Sequence, residues 1–271
     1  MTTLQIGSIE ATVVSDGRLL LNPENLHGSN AAWQEKVQLE NGKFACSVNC
    51  LLIRAGGKLI LLDTGTGRDE TEMLERWGGQ CGFLVDNLRA IGVEPGSIDS
   101  VILSHAHADH VGGATRRVGE DFSPTFTNAT YWFWKGEWDY WTTTEMLEER
   151  PFLQRHLTPL AEHGQVELSE SEVEVAPGVR LISAPGHTPG HICVAITSGQ
   201  EMGVYAGDLV HHGAQCCHPD WSPAFDLLPE MSAESRRRVL ADAHQNNAFL
   251  MTAHLPSPGI ARPTATGWSL P

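Results

Sequence analysis

The stretch Ser104–Gly113, SHAHADHVGG, sets three histidines and an aspartate within six residues: His105, His107, Asp109 and His110. It follows directly on the apolar run SVIL, residues 100–103. In an extended chain, residues two apart project to the same side. His105 and His107 can therefore grip one metal ion together. Asp109 and His110 come where the chain turns toward Gly112 and Gly113, so they can face a different point. The pattern H-x-H-x-D-H differs from the helical H-E-x-x-H zinc motif, whose histidines lie one turn apart. A lone histidine is ordinarily a hydrogen-bonded core or surface residue. Four ligand-type side chains on one strand end point instead to metal.

Working outward, four other segments share this design. His187 follows a predicted strand in SAPGHTPGH, with His191 four residues on. Asp208 ends VYAGDL, His254 ends LMTAHLP, and Asp63 ends ILLDTG. Each is a polar, ligand-capable residue directly after an apolar run. Any one is weak, but together they predict a two-metal site.

The elements around these residues are expected as follows. Residues 44–65 form two strands about a Gly56–Gly57 turn. CGFLVDNLRAIG is an amphipathic helix stopped by Gly92. DSVILSH is a short buried strand. TYWFWKGEWDYW is aromatic and irregular, expected to begin a helix or to cover a pocket mouth. RPFLQRHLTPLAEHG is a helix ended by Gly164. In the second half, residues 172–186 form strand, turn and strand, and residues 191–208 a hairpin about Ser198–Gly199. PEMSAESRRRVLADAHQNNA is a helix in which Ser232 and Ser235 make half of a capping box. FLMTAH closes as a strand. Strands precede helices in both halves, which favours sheets covered by helices with the site along one edge.

Composition narrows the function. The 271 residues can form one domain, 1–271, and 41% of them are hydrophobic, enough for a sizeable core. A charged share of 19% does not describe a disordered chain. The net charge of −15 argues against nucleic acid and anionic membranes as partners. With no long apolar run and no basic leader at the N-terminus, a cytoplasmic protein is expected. The six cysteines, Cys46, Cys50, Cys81, Cys193, Cys216 and Cys217, contain no C-x-x-C pair and are expected as reduced, mostly buried thiols.

LLDTG, SHAHADH, APGHTPGH, AGD and TAH, in that order, resemble the metallo-β-lactamase superfamily from about Asn49 to His254. The resemblance implies an α/β fold, a four-layer αβ/βα sandwich with the metals in a cleft at one edge. It implies that His105, His107 and His187 bind one divalent ion and Asp109, His110 and His254 the second, with Asp208 bridging. Asp63 would orient ligands by hydrogen bonds and His191 would buttress the site. Zinc is the expected metal, with manganese, iron or cobalt as alternatives. A bridging hydroxide would attack a carbonyl or phosphoryl centre, with Asp109 orienting the nucleophile and passing a proton. No G-x-S-x-G elbow is present, and no serine or cysteine nucleophile is required.

Gly207–Trp221, GDLVHHGAQCCHPDW, and AHLPSPG resemble the lactonase and methyl-parathion-hydrolase-like branch. This implies a dinuclear hydrolase opening lactones, such as the N-acyl homoserine lactones of quorum quenching, or cleaving carboxylic esters, with phosphotriester hydrolysis as the alternative. β-Lactam hydrolysis is disfavoured by the form of the Asp208 motif. Lactonases of this branch often place a tyrosine three residues past the bridging aspartate. Here that residue is His211, expected to donate a hydrogen bond to the reacting oxygens, with His212 and His218 as further candidates. Trp132, Trp134, His212, Trp221 and Phe225 are expected to line a pocket for a small hydrophobic ester, lactone or phosphotriester. A homodimer would use the same aromatic segment. A glutathione thioester, as in glyoxalase II, fits less well, because Arg116–Arg117 is the nearest basic pair. Diiron oxygen-reducing members carry a glutamate in the first motif and a fused flavin domain, and this chain shows neither.

Overall fold

The computed structural model describes residues 1–27 and 31–270. Two seven-stranded sheets carry the architecture. The first runs, in spatial order, Thr2–Ile6, Ile9–Leu21, Phe44–Ala55, Lys58–Leu62, Ser100–Ile102, Thr130–Trp134 and Val166–Ser169. The second runs Glu174–Ala176, Val179–Ser183, Ile192–Ser198, Glu201–Tyr205, Phe249–Met251, Ile260–Thr264 and Gly267–Ser269.

Side-chain alternation explains why these strands end up as inner layers. Along Phe44–Ala55, Leu51 and Ile53 enter the core shared by the two sheets, while Cys50 and Leu52 enter the core under the helices. Ile60 and Leu62 face inward and Leu61 outward; in the second sheet Tyr205 faces inward and Val204 outward. Both faces are apolar, so each sheet needs cover on both sides. On the first sheet that cover includes the helices Leu84–Ala90 and Pro151–Glu162, through Leu84, Leu88, Leu153, Leu157 and Leu160. On the second it is the helix Pro229–Gln245, through Val239, Leu240 and Ala243. The result is four layers: helix, sheet, sheet, helix.

Parallel pairing sets the site. Lys58–Leu62, Ser100–Ile102 and Thr130–Trp134 run parallel to one another, as do Glu201–Tyr205 and Phe249–Met251. Their C-terminal ends therefore open on one edge, where Asp63, His105, Asp208 and His254 follow. The sheets are stitched together there. Ile192 N–H donates to the Ser104 carbonyl at 3.0 Å, and Asn49 N–H to that of Ala253 at 2.9 Å. The Asn49 side-chain amide also donates to the Leu255 carbonyl at 2.9 Å.

Several expectations need correction. The aromatic segment is regular: Thr130–Trp134 is a strand and Lys135–Trp141 a helix. Tyr131 and Phe133 point to the helix side of the sheet, Trp132 and Trp134 to the core between the sheets. Period-2 alternation of large rings covers both faces of a buried strand, so these rings serve the protein's own interior. The helix holding Ser232 starts at Pro229, which puts Ser232 a turn inside, where its hydroxyl accepts from Arg236 Nη2 at 2.8 Å rather than capping. The N-terminal hairpin and the last two strands complete the sheet edges. All six cysteines are free; Cys46, Cys50, Cys81 and Cys193 are buried, Cys216 half-buried and Cys217 exposed. Among the described residues, no helix is long and apolar enough to cross a membrane.

Candidate metal centre

At the common edge, the residues of SHAHADHVGG divide as their positions require. His107 precedes a single helical turn, Ala108–Val111, which swings Asp109 and His110 to a different point from His105 and His107. His105, His107, His187 and Asp208 bring one potential ligand atom each within 4.8 Å of one another. Asp109, His110 and His254 do the same, and so do Asp208, His211 and His254.

Asp208 joins these clusters through separate oxygens. Its Oδ1 lies 2.9 Å from both His110 Nε2 and His254 Nε2. Its Oδ2 lies 3.2 Å from His187 Nε2 and 3.6 Å from His105 Nε2. His107 Nδ1 lies 3.0 Å from His187 Nε2. These separations bracket the edge of about 3.3 Å expected between neighbouring ligands at zinc–nitrogen bond lengths. His105 Nε2, His110 Nε2 and Asp208 Oδ1 are buried with no well-aligned hydrogen-bond partner, the short His110–Asp208 and His254–Asp208 approaches being poorly directed. Unpaired lone pairs that converge in this way are costly unless a cation takes them. The residues present thus fit two divalent ions, and their mixed imidazole and carboxylate donors suit zinc, manganese, iron or cobalt.

The opposite ring nitrogens are held by other groups, which aims the inner ones. His110 Nδ1 bonds Asp63 Oδ2 at 2.7 Å, His254 Nδ1 donates to the Ser47 carbonyl at 2.7 Å, and His187 Nδ1 bonds Asp226 Oδ1 at 2.9 Å. Asp63 stands at a left-handed backbone position, φ 58°, which turns its carboxylate back across the strand ends. There it also accepts from Ser104 N–H, Ser104 Oγ and Tyr205 OH at 2.7–2.8 Å. His191 donates from Nδ1 to the Ala184 carbonyl and accepts the Asp208 N–H on Nε2, both at 3.1 Å. It is thereby a buttress for Asp208.

Burial pushes His105 and His107 well below the usual histidine range, and burial together with His187 brings His191 down to about 3. For Asp208 burial acts upward, but His110, His254 and His211 outweigh it and hold the carboxylate well below its usual range. His105, His107 and His191 are thus held neutral and Asp208 ionised. Against burial, however, the Asp208 carboxylate draws His110 and His254 well above the usual histidine range and His187 up to about 9, protons that a bound cation would displace.

Two supports carry no sequence motif. Asp226 holds His187 and is itself held at 3.2 Å by Arg236 Nη2. The Arg236 guanidinium is fully buried and also donates to the carbonyls of Leu209 and Pro219. Glu137, likewise buried, accepts four hydrogen bonds behind the His107 and His187 loops.

A cavity of about 370 Å³ opens over Asp109, Asp208 and His254. Its walls include Leu19, Leu21, Met73, Trp77, Trp141 and Phe152. Phe225 also lines it, 4.7 Å from His211 and 6.0 Å from His187 between ring centroids. His211 forms part of the same wall, with Nε2 3.1 Å from Asp208 Oδ2. The remaining pocket expectations are corrected. Trp132 and Trp134 lie in the inter-sheet core. Trp221 packs against Trp33 and stacks on His218 at 4.2 Å and is not among the residues that line the cavity. His212 faces a neighbouring cavity, with Phe44 beside it. A cation does stand over the main cavity: Arg150, lying 5.3 Å above the Trp141 ring.

Two stacked sheets between helices, with paired histidine and carboxylate clusters sharing an aspartate at one edge, define a metal-binding α/β sandwich. The metallo-beta-lactamase superfamily model matches residues 44–254, and the chain belongs to that superfamily. It is 30% identical to the N-acyl homoserine lactonase AiiA of Bacillus thuringiensis subsp. kurstaki over 121 residues, 45% of this chain and 42% of that protein. The chain thus matches less than half the length of this curated relative. Among solved structures it resembles AidC, a dizinc quorum-quenching lactonase in complex with a product N-hexanoyl-L-homoserine. The TM-score is 0.81 at 26% identity, covering 100% of this chain and 96% of that one. A probable metal-dependent hydrolase from Staphylococcus aureus shares the fold, with TM-score 0.85 at 20% identity over 96% and 94% of the chains.

Proposed function

We propose that this chain is a dinuclear metal-dependent hydrolase whose substrates are lactones, N-acyl homoserine lactones foremost, with carboxylic esters open to the same chemistry. The observation that carries the reading is the division of the Asp208 oxygens between two histidine sets. His105, His107 and His187 would hold one ion, Asp109, His110 and His254 the other, and Asp208 would contribute to both. Zinc is the metal that the donor set and the dizinc relative favour.

Two divalent ions bound there would supply a hydroxide nucleophile at neutral pH and polarise the scissile carbonyl. The chain's own groups do the rest. Asp109, partly exposed on the cavity floor, takes the proton that must leave the attacking water and returns it to the departing alkoxide. His211, in the cavity wall beside Asp208, donates to the reacting oxygens. Leu19, Leu21, Met73 and Phe152 wall a space for an acyl chain, within the volume range of small-molecule sites. AidC, with its bound product, and the AiiA lactonase support lactones over other electrophiles.

The test is metal content per chain, measured beside hydrolysis of an N-acyl homoserine lactone and an aryl phosphotriester. Two metals with lactone turnover that disappears on chelation is the expected result. Turnover of the phosphotriester alone would replace the substrate class, and a chain that takes up no metal after reconstitution would overturn the site.

A further inference from the structure

The helix Lys135–Trp141 follows directly on a core strand, and at its first turn it carries a carboxylate into the protein interior. Glu137 is 1% exposed. A buried carboxylate persists only where donors satisfy it. Glu137 has four, two on each oxygen. Oε1 accepts from the Ala106 N–H at 2.9 Å and the Trp141 Nε1–H at 2.7 Å. Oε2 accepts from the Thr188 hydroxyl at 2.7 Å and the Gly190 N–H at 2.9 Å.

The donors identify what the carboxylate controls. Ala106 lies between His105 and His107. Thr188 follows His187, and Gly190 precedes the buttress His191. The three histidines of one proposed ion thus come from two loops, on different sheets, and Glu137 bonds both loops. It bonds neither the Asp109–His110 turn nor the His254 loop. The approach is tight: a Cβ built on Gly190 would meet the Glu137 backbone nitrogen at 2.1 Å, so a side chain there would force the two segments apart. The fourth donor, Trp141, walls the substrate cavity, 5.7 Å from the His107 ring between centroids.

We infer that Glu137 is a positioning residue for the ion held by His105, His107 and His187, fixing the spacing of the two loops that supply them. The inference rests on the dinuclear reading. All four partners are hydrogen donors, three of them fixed N–H groups. Glu137→Gln therefore turns an amide NH₂ toward two donors whichever way it sits. One loop must then shift while side-chain volume stays the same.

The experiment is chelator competition on purified, zinc-loaded wild-type and Glu137→Gln protein, following release of each ion, with melting of both metal-free proteins alongside. One of the two ions is expected to bind 10–100-fold more weakly in the variant, the size seen when groups behind metal ligands are removed. The other ion should keep its wild-type affinity, and the metal-free variant, with buried donors left unsatisfied, should melt below metal-free wild type; general destabilisation alone would weaken both ions alike. Cobalt(II) substitution should show altered visible bands for the weakened ion alone. Thr188→Val removes a single donor from the His187 loop and serves if Glu137→Gln does not fold; a smaller loss at the same ion is expected. Wild-type affinity at both ions, or equal weakening of both, would overturn the inference. Absence of metal from the wild-type protein would instead overturn the dinuclear reading beneath it.

Discussion

At Asp208 the two oxygens of one carboxylate answer to different neighbours, His110 and His254 on one side, His105 and His187 on the other. An alanine there removes an interaction with both clusters at once. Asp208→Ala and His107→Ala are each expected to lower kcat/KM by about 10³-fold or more, as loss of several kcal/mol of charge stabilisation implies. Metal analysis should show reduced content with a native circular dichroism spectrum; full activity in metal-depleted Asp208→Ala protein would refute the site. His211 is different in kind. Its Nε2 touches Asp208, but its backbone N–H is pinned by Gln215 Oε1 at 2.7 Å, independently of any ion. His211→Phe should lower kcat by about 10²-fold, the lower end for loss of a general acid, while metal content stays near wild type. Equal loss of both would make it a structural residue.

Elements in this fold are joined by a few partly buried polar contacts as well as by their apolar faces. Glu70, just before the helix Thr71–Arg76, binds Arg155 in a two-pronged pair at 2.6 Å and His156 at 3.2 Å. Both partners lie on the helix Pro151–Glu162. Burial acts to raise the Glu70 carboxyl, but the hydrogen bonds from His156 and Arg155 outweigh it and bring it down to about 2. A carboxyl lowered on folding stabilises the folded state fully above its unfolded value, near 4.5, and loses that contribution as pH falls toward 2. Glu70→Gln is therefore expected to cost about 1–2 kcal/mol at pH 7. The gap from wild type in urea unfolding should narrow as pH drops from about 4.5 toward 2. A gap unchanged across that range would mean that the pair contributes through packing and not through charge.

For the whole molecule, the sequence was most informative where chemistry is concentrated in short motifs. His105, His107, Asp109 and His110 announce themselves because unpaired ligand types rarely crowd one strand end, and the apolar runs before Asp63, His187, Asp208 and His254 mark the other strand ends. The cavity was not legible in the same way. Its walls come from Leu19 and Leu21, Met73 and Trp77, and Trp141 and Phe152, segments far apart in sequence and brought together only by the sandwich. Aromatic richness misled at Trp132 and Trp134, since a strand buried on both faces is as aromatic as a pocket wall. Glu137 and Asp226 were silent because a single carboxylate has no pattern until its donors are known. Metal uptake should register globally. With free zinc at 100 times its dissociation constant, binding adds about 2.7 kcal/mol, or roughly 5–10 °C in Tm for a chain of this size. A melting temperature indifferent to zinc would argue against binding selective for the folded state.

The proposed ligands are shared out between the sheets: His105, His107, Asp109 and His110 follow a strand of the first, His187, Asp208 and His254 strands of the second. An ion held among them is a rivet between two leaves whose facing surfaces are leucine, isoleucine and valine. Withdrawing it does more than silence a reaction. That edge then rests on hydrogen bonds such as Ile192–Ser104 and Asn49–Ala253, so the leaves open there more readily and the dry seam between them becomes adhesive surface. Metal starvation should then be felt as clumping and proteolytic loss of the protein as well as lost turnover.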